Sequence, residues 1–172
     1  TAMHIFLLDK PDVTLSKADL DKLGVLSWVI PVETLEQDGI LDKICTERKY
    51  TYKDIIKVSP DHLPNYEAKI KSFFEEHLHT DEEIRFFLGG SGYFDVRDQN
   101  DQWVRIHAST GDMIVLPAGM YHRFSTDDQK YAHVMRLFQG DPIWTPWNRG
   151  DEADAFPVRD SYVKWLKEQH QA

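Results

Sequence analysis

Tyr66, Ile70, Phe73 and Phe74 follow one another at spacings of four, three and one, the apolar stripe of an amphipathic helix, and predict a helix over 64–76. Upstream, Ser16 with Asp19, Leu20, Leu23 and Gly24 reads as a short capped helix with a glycine stop. Residues 25–30 form a strand-like run ended by Pro31, and 52–58 form a second. Between them, 34–47 places Leu35, Leu41 and Ile44 at helical positions, weakened by Gly39. From 77 to 138 the texture changes to short strand-like runs alternating with turn signals. The run 84–88 meets Gly89, Gly90, Ser91 and Gly92, read as a turn, and 93–97 meets Asp98, Gln99, Asn100 and Asp101. Runs at 103–106, 113–116, 122–124 and 133–138 complete the series. Tyr162, Val163, Trp165 and Leu166 mark a tail helix within 155–172 that packs back on the body. The expected fold is mainly β with peripheral helices, a small barrel or jelly roll. A mixed segment over 1–76 precedes a barrel core over 77–138, in one domain without repeats or linkers.

Composition narrows the function classes. At 172 residues, 41% hydrophobic and 28% charged, the chain is ordinary globular material with one core. Its net charge of -9 argues against nucleic-acid binding, which needs clustered Lys and Arg on phosphates. An anionic ligand would need a local positive site. The single cysteine, Cys45, rules out an intramolecular disulfide or a multi-cysteine zinc site and reads as a packed thiol. No apolar run is long enough to span a bilayer, so membrane insertion is not expected and a cytosolic protein is.

The chemistry concentrates in two segments. His77 and His79 are two apart, so on a strand they share a face, and Glu83 has the same parity beyond the Thr80-Asp81-Glu82 turn. The first segment reads His-x-His-x3-Glu-x6-Gly, ending at Gly90. The second reads Gly-x5-Pro-x-Gly-x2-His from Gly111 to His122, with Pro117 and Gly119 forming a tight turn that presents His122 inward. Three imidazoles and a carboxylate suit one first-row divalent ion. Four protein ligands leave positions open, as catalytic rather than structural sites do. His4, His62, His107 and His133 read as surface or packing residues and His170 as exposed. Asp95, Arg97 and Asp98 read as a polar hairpin face, and Glu82 as structural or solvated.

The paired segments resemble the two motifs of the cupin superfamily, with Lys71 where a glycine is usual and Thr126 where an asparagine is common. More narrowly, the text from Phe73 to Arg149 resembles the acireductone dioxygenase family in its eukaryotic form. The resemblance is carried by Phe74-Glu75-Glu76-His77-Leu78-His79, by Gly90 to Asp98, by Leu116 to Phe124 and by Met135-Arg136-Leu137-Phe138. The first dozen residues do not match. The resemblance implies a cupin barrel holding one Fe(II) or Ni(II) on His77, His79, Glu83 and His122. It implies acireductone and molecular oxygen as substrates, a place in methionine salvage, a monomer found in the cytoplasm and also the nucleus, and a membrane-protease tail as a protein partner.

Arg85 shares parity with Glu83 and is expected to face the substrate, where its fixed charge stabilises an anion; an internal salt bridge is the plainer reading. Phe124 and Phe73 are candidate walls for the methylthio tail, or core packing. Arg136 reads equally as a partner behind the site or a barrel salt bridge. Rival functions are another small-molecule cupin dioxygenase or isomerase, a non-enzymatic protein-binding cupin, and a metal-storage cupin, against which an internal Arg85 argues.

Overall fold

The computed structural model describes residues 3–171. In chain order it runs β1 (His4–Leu7), β2 (Lys10–Thr14), α1 (Lys17–Asp21), β3 (Leu26–Val29), α2 (Leu35–Asp38), α3 (Ile40–Arg48), β4 (Tyr52–Val58) and α4 (Tyr66–Phe74). There follow β5 (His77–Leu78), β6 (Glu83–Arg97), β7 (Trp103–Ser109), β8 (Asp112–Leu116), β9 (His122–Ser125), β10 (Ala132–Phe138), β11 (Trp147–Asn148), α5 (Asp151–Asp154) and α6 (Pro157–Gln169). Ser16 caps α1 through a reciprocal box with Asp19. Residues 34–47 do not form one helix. Gly39 takes a left-handed conformation at φ 70° and divides α2 from α3. The opening residues, for which no strand was expected, form the β1–β2 hairpin, and β1 adds to the sheet beside β7.

Two antiparallel sheets share β6 and fold into a jelly-roll-like sandwich rather than a closed ring. The larger runs β11-β5-β9-β6-β7-β1-β2, and the smaller joins β4, β10, β6, β8 and β3. Strand β8 is buried at every residue, because Ile114 and Leu116 enter the main core while Met113 and Val115 enter a second core on the opposite face. Leu41 and Ile44 of α3 belong to that second core, so the helix exists to cover the outer face of the smaller sheet.

The expected turn over 89–92 is absent, and β6 runs through it. Across from β10, Val134 pairs with Phe87 but His133 pairs with Gly89, which leaves Leu88 as the extra residue of a bulge. Gly90 sits there at φ 70°, and a Cβ would collide with the Tyr131 carbonyl. One inserted residue reverses which parity faces inward. Before the bulge, Glu83, Arg85 and Phe87 face the cavity; after it, Phe94 does. The same reversal turns Asp95 outward, where it meets Arg105 and Arg123. Asp95 is therefore a buried anchor, 1% exposed, and not a solvated hairpin residue. Arg97 and Asp98 also have fixed structural partners, Arg97 pairing with Glu76 at 2.8 Å and Asp98 accepting from the backbone of Asn100 and Gln102.

Candidate metal centre

His77 lies on β5 directly opposite His122, the first residue of β9. His79 follows β5, and Glu83 opens β6. The two motifs are tied together by backbone: Gly119 N–H donates to the His79 carbonyl at 3.0 Å. Gly119 holds φ 82°, and a Cβ there would press on the Val158 carbonyl, so the turn that aims His122 requires glycine.

Each imidazole is oriented from behind by a main-chain carbonyl. Nδ1 of His77 donates to Glu75 O at 2.5 Å, Nδ1 of His79 to Thr145 O at 3.0 Å and Nδ1 of His122 to Met120 O at 2.9 Å. A carbonyl only accepts, so each Nδ1 carries its proton and each Nε2 is left to present a lone pair. The three rings offer ligand atoms within 4.8 Å of one another. Glu83 completes the cluster, with Oε1 at 3.3 Å from His79 Nε2 and Oε2 at 3.5 Å from His122 Nε2.

His122 Nε2 is buried and has no hydrogen-bond partner. Its lone pair therefore faces a carboxylate oxygen, two electron-rich atoms that repel each other unless a cation stands between them. The donor set of three imidazoles and one carboxylate suits a divalent first-row ion, so these residues fit a metal. Burial, with His122 as a second cause, pushes His77 down to about 4, and its ring is neutral and ready to ligate near neutral pH. Burial opposes charge on Glu83, but Arg85, His122 and His79 outweigh it and hold the carboxyl well below its usual range. For His79, burial is outweighed by Glu83, which favours a proton on the nitrogen a cation would claim.

These four side chains line a cavity of about 250 Å³. Arg85 lines it, hydrogen-bonded to Glu83 Oε1 at 3.3 Å and to Ile84 O at 3.0 Å, so the ion pair and the cavity position occur together. Phe73 and Phe124 also line it and meet edge to face at 6.4 Å. Arg136 lines it while pairing with Asp54 at 2.7 Å, which makes it a barrel salt bridge with one side on the cavity. Glu82 hydrogen-bonds to Arg48 and Tyr50.

Sequence reasoning missed three contributors. Trp144 lines the cavity and lies over Arg136 at 4.4 Å and Arg85 at 5.6 Å. Thr145 acts through a carbonyl, which leaves no trace in residue type. Asp54 was legible as a strand residue but not as the partner of Arg136. Of the other histidines, His107 donates to Asp127 at 2.8 Å and His62 pairs with Ser59 at 2.7 Å. His170, expected exposed, is half-buried and donates to Leu166 O.

A jelly-roll sandwich with a histidine triad and a carboxylate lining an internal cavity defines a metal-binding cupin. The solved acireductone dioxygenase from Bacillus anthracis with cadmium ion in its active center matches this fold with a TM-score of 0.73 at 22% identity, over 83% of this chain and 96% of that one. Residues 8–146 match the model of the ARD/ARD' family, and the chain belongs to that family. It is 58% identical over 148 residues to the acireductone dioxygenase of Ixodes scapularis, covering 86% of this chain and 80% of that protein. It is 54% identical over 156 residues to that of Macaca mulatta, covering 91% and 86%.

Proposed function

We propose that this chain acts on acireductone, 1,2-dihydroxy-3-oxo-5-(methylthio)pentene, as the metal-dependent dioxygenase of methionine salvage. The observation that carries the reading is the unpartnered His122 Nε2 facing Glu83 beside a cavity-lining Arg85. The family and its curated relatives support the same activity. A bound divalent ion supplies Lewis acidity and a template for a chelating enediol.

The chain's own residues do the rest. His77, His79, His122 and Glu83 hold the ion, and the backbone carbonyls behind the imidazoles keep each Nε2 aimed inward. Arg85 stabilises the substrate anion through guanidinium N–H groups that Glu83 and Ile84 leave free. Phe73 and Phe124 form the apolar wall for the methylthio tail and keep water from it. Arg136, held by Asp54 and covered by Trp144, lines the cavity from β10 of the smaller sheet.

Fe(II) and Ni(II) both suit this donor set. The iron form would yield 4-methylthio-2-oxobutanoate and formate, and the nickel form methylthiopropionate, formate and carbon monoxide. The test is an anaerobic mixture of acireductone with protein of measured metal content, followed by admission of oxygen and product identification for each metal. Loss of the substrate absorbance with these products is expected. Substrate that persists, or that isomerises without consuming oxygen, makes this a different cupin enzyme.

A further inference from the structure

We propose that Lys69 is a substrate-capture residue at the lip of the metal cavity, drawing the anionic reductone in against the chain's overall negative charge; this rests on the acireductone reading above. Lys69, Ser72 and Phe73 stand at i, i+3 and i+4 of α4, and all three line the cavity. The cavity is lined by three cationic side chains: Lys69, Arg85 and Arg136. Arg85 is paired with Glu83 and Arg136 with Asp54. Lys69 forms no ion pair among the described residues. Its α4 neighbours three and four positions away are Asn65, Tyr66, Ser72 and Phe73, none of them acidic. The carboxylate lining the cavity beside Glu83 is Glu82, already held by Arg48 at 2.8 Å.

The placement has an electrostatic logic. The chain carries a net charge of -9, which repels an approaching anion. Lys69 is exposed, while Arg85 lies deep. A lysine lays its apolar stem along a rim and keeps its ammonium in water, where it acts at a distance as a point charge. Capture at the lip by Lys69 and fixation at depth by Arg85 are thus separate tasks on separate elements, α4 and β6.

The test compares steady-state turnover of acireductone by the metal-loaded wild type and by Lys69→Arg, Lys69→Met and Lys69→Glu at several ionic strengths. Metal content and melting temperature are measured on each. Lys69→Met is expected to lower kcat/KM at low salt by up to about tenfold, one exposed charge supplying no more than the lower end of what a whole charged cleft does. Its kcat, metal content and melting temperature stay at wild-type values. Lys69→Glu falls further, Lys69→Arg keeps wild-type kcat/KM, and added salt closes the gap between wild type and Lys69→Met. Wild-type turnover with kcat/KM unchanged in Lys69→Glu overturns the capture role alone. A fall in kcat with KM unchanged overturns it too, since the residue would then serve the reaction itself. Wild type that leaves acireductone unconsumed overturns the function, and the capture role with it.

Discussion

Strand β6 carries two carboxylates withdrawn from solvent, and their surroundings differ in kind. Asp95 is 1% exposed and saturated: Arg105 donates at 2.8 and 2.9 Å and Arg123 at 2.8 Å, so both oxygens hold short bonds to fixed cations. Glu83 is also largely withdrawn, its side chain 10% exposed, yet its neighbours stand off at 3.3 Å (His79 and Arg85) and 3.5 Å (His122). Asp95 ties β6 to β7 and β9 and has little acceptor capacity to spare. Glu83 is ionised, encircled by nitrogens at longer range, and keeps lone pairs for a cation. Burial alone does not distinguish a structural carboxylate from a functional one. The length of its contacts and the lone pairs left over do.

The strongest way to break this contrast is Glu83→Gln. It keeps the shape and removes the charge, so metal affinity should fall by more than about 100-fold, exceeding the effect of losing an outer partner of a ligand. Turnover should drop to background while the far-UV spectrum stays native. Metal retained at one ion per chain would show that Glu83 is not a ligand.

Next in size is Asp95→Ala, which strands Arg105 and Arg123 and should cost about 3–5 kcal/mol of folding stability in urea titration. The folded fraction should still bind metal normally. Metal loss without loss of stability would erase the distinction between the two carboxylates.

Arg85→Lys probes the cation that stands 3.3 Å from Glu83. A lysine keeps the charge but not the planar fork, and kcat should fall about tenfold to hundredfold, at or below the loss expected for a preorganised donor. Metal content should be unchanged, and full activity would remove Arg85 from the reaction.

The smallest effect concerns two further saturated carboxylates. Hydrogen bonding to Arg136 leads the causes that hold Asp54 below its usual range. For Glu76, burial works against ionisation, but Arg97 and Arg149 outweigh it. A pKa lowered on folding contributes stability that is present above the unfolded value and lost as pH falls through the folded one. Stability should therefore decline on acidification below about pH 4, where unperturbed carboxyls begin to protonate. Asp54→Asn and Glu76→Gln should each flatten that decline by at most about 1 kcal/mol. An unchanged acid limb in both variants would deny these pairs any share in it.

Much of the fold was legible because its signals are local. The cap at Ser16, the stripe from Tyr66 to Phe74 and the β4 run each depend on neighbours a few residues away. Gly39 was visible as a weakness but not as a break, since a left-handed residue between two helices is chosen by packing of Leu41 and Ile44 beneath the smaller sheet. The glycines at 89–92 were misread for the same reason. A turn and a bulge share a composition, and only β10 on one side and β7 and β9 on the other show that the strand continues.

The candidate donor set was legible in the sequence by itself, because the two-residue spacing of His77 and His79, the parity of Glu83 and the Pro117–Gly119 turn before His122 are short-range geometry. The tertiary structure decided which charges stay open. Asp95 is quenched by arginines on two other strands, Arg136 by Asp54 on β4, and His79 is oriented by the carbonyl of Thr145. Asp95 meets Arg105 and Arg123 because the bulge at Leu88 turns the second half of β6 over, and a one-residue offset between paired strands is set by the strands across from it.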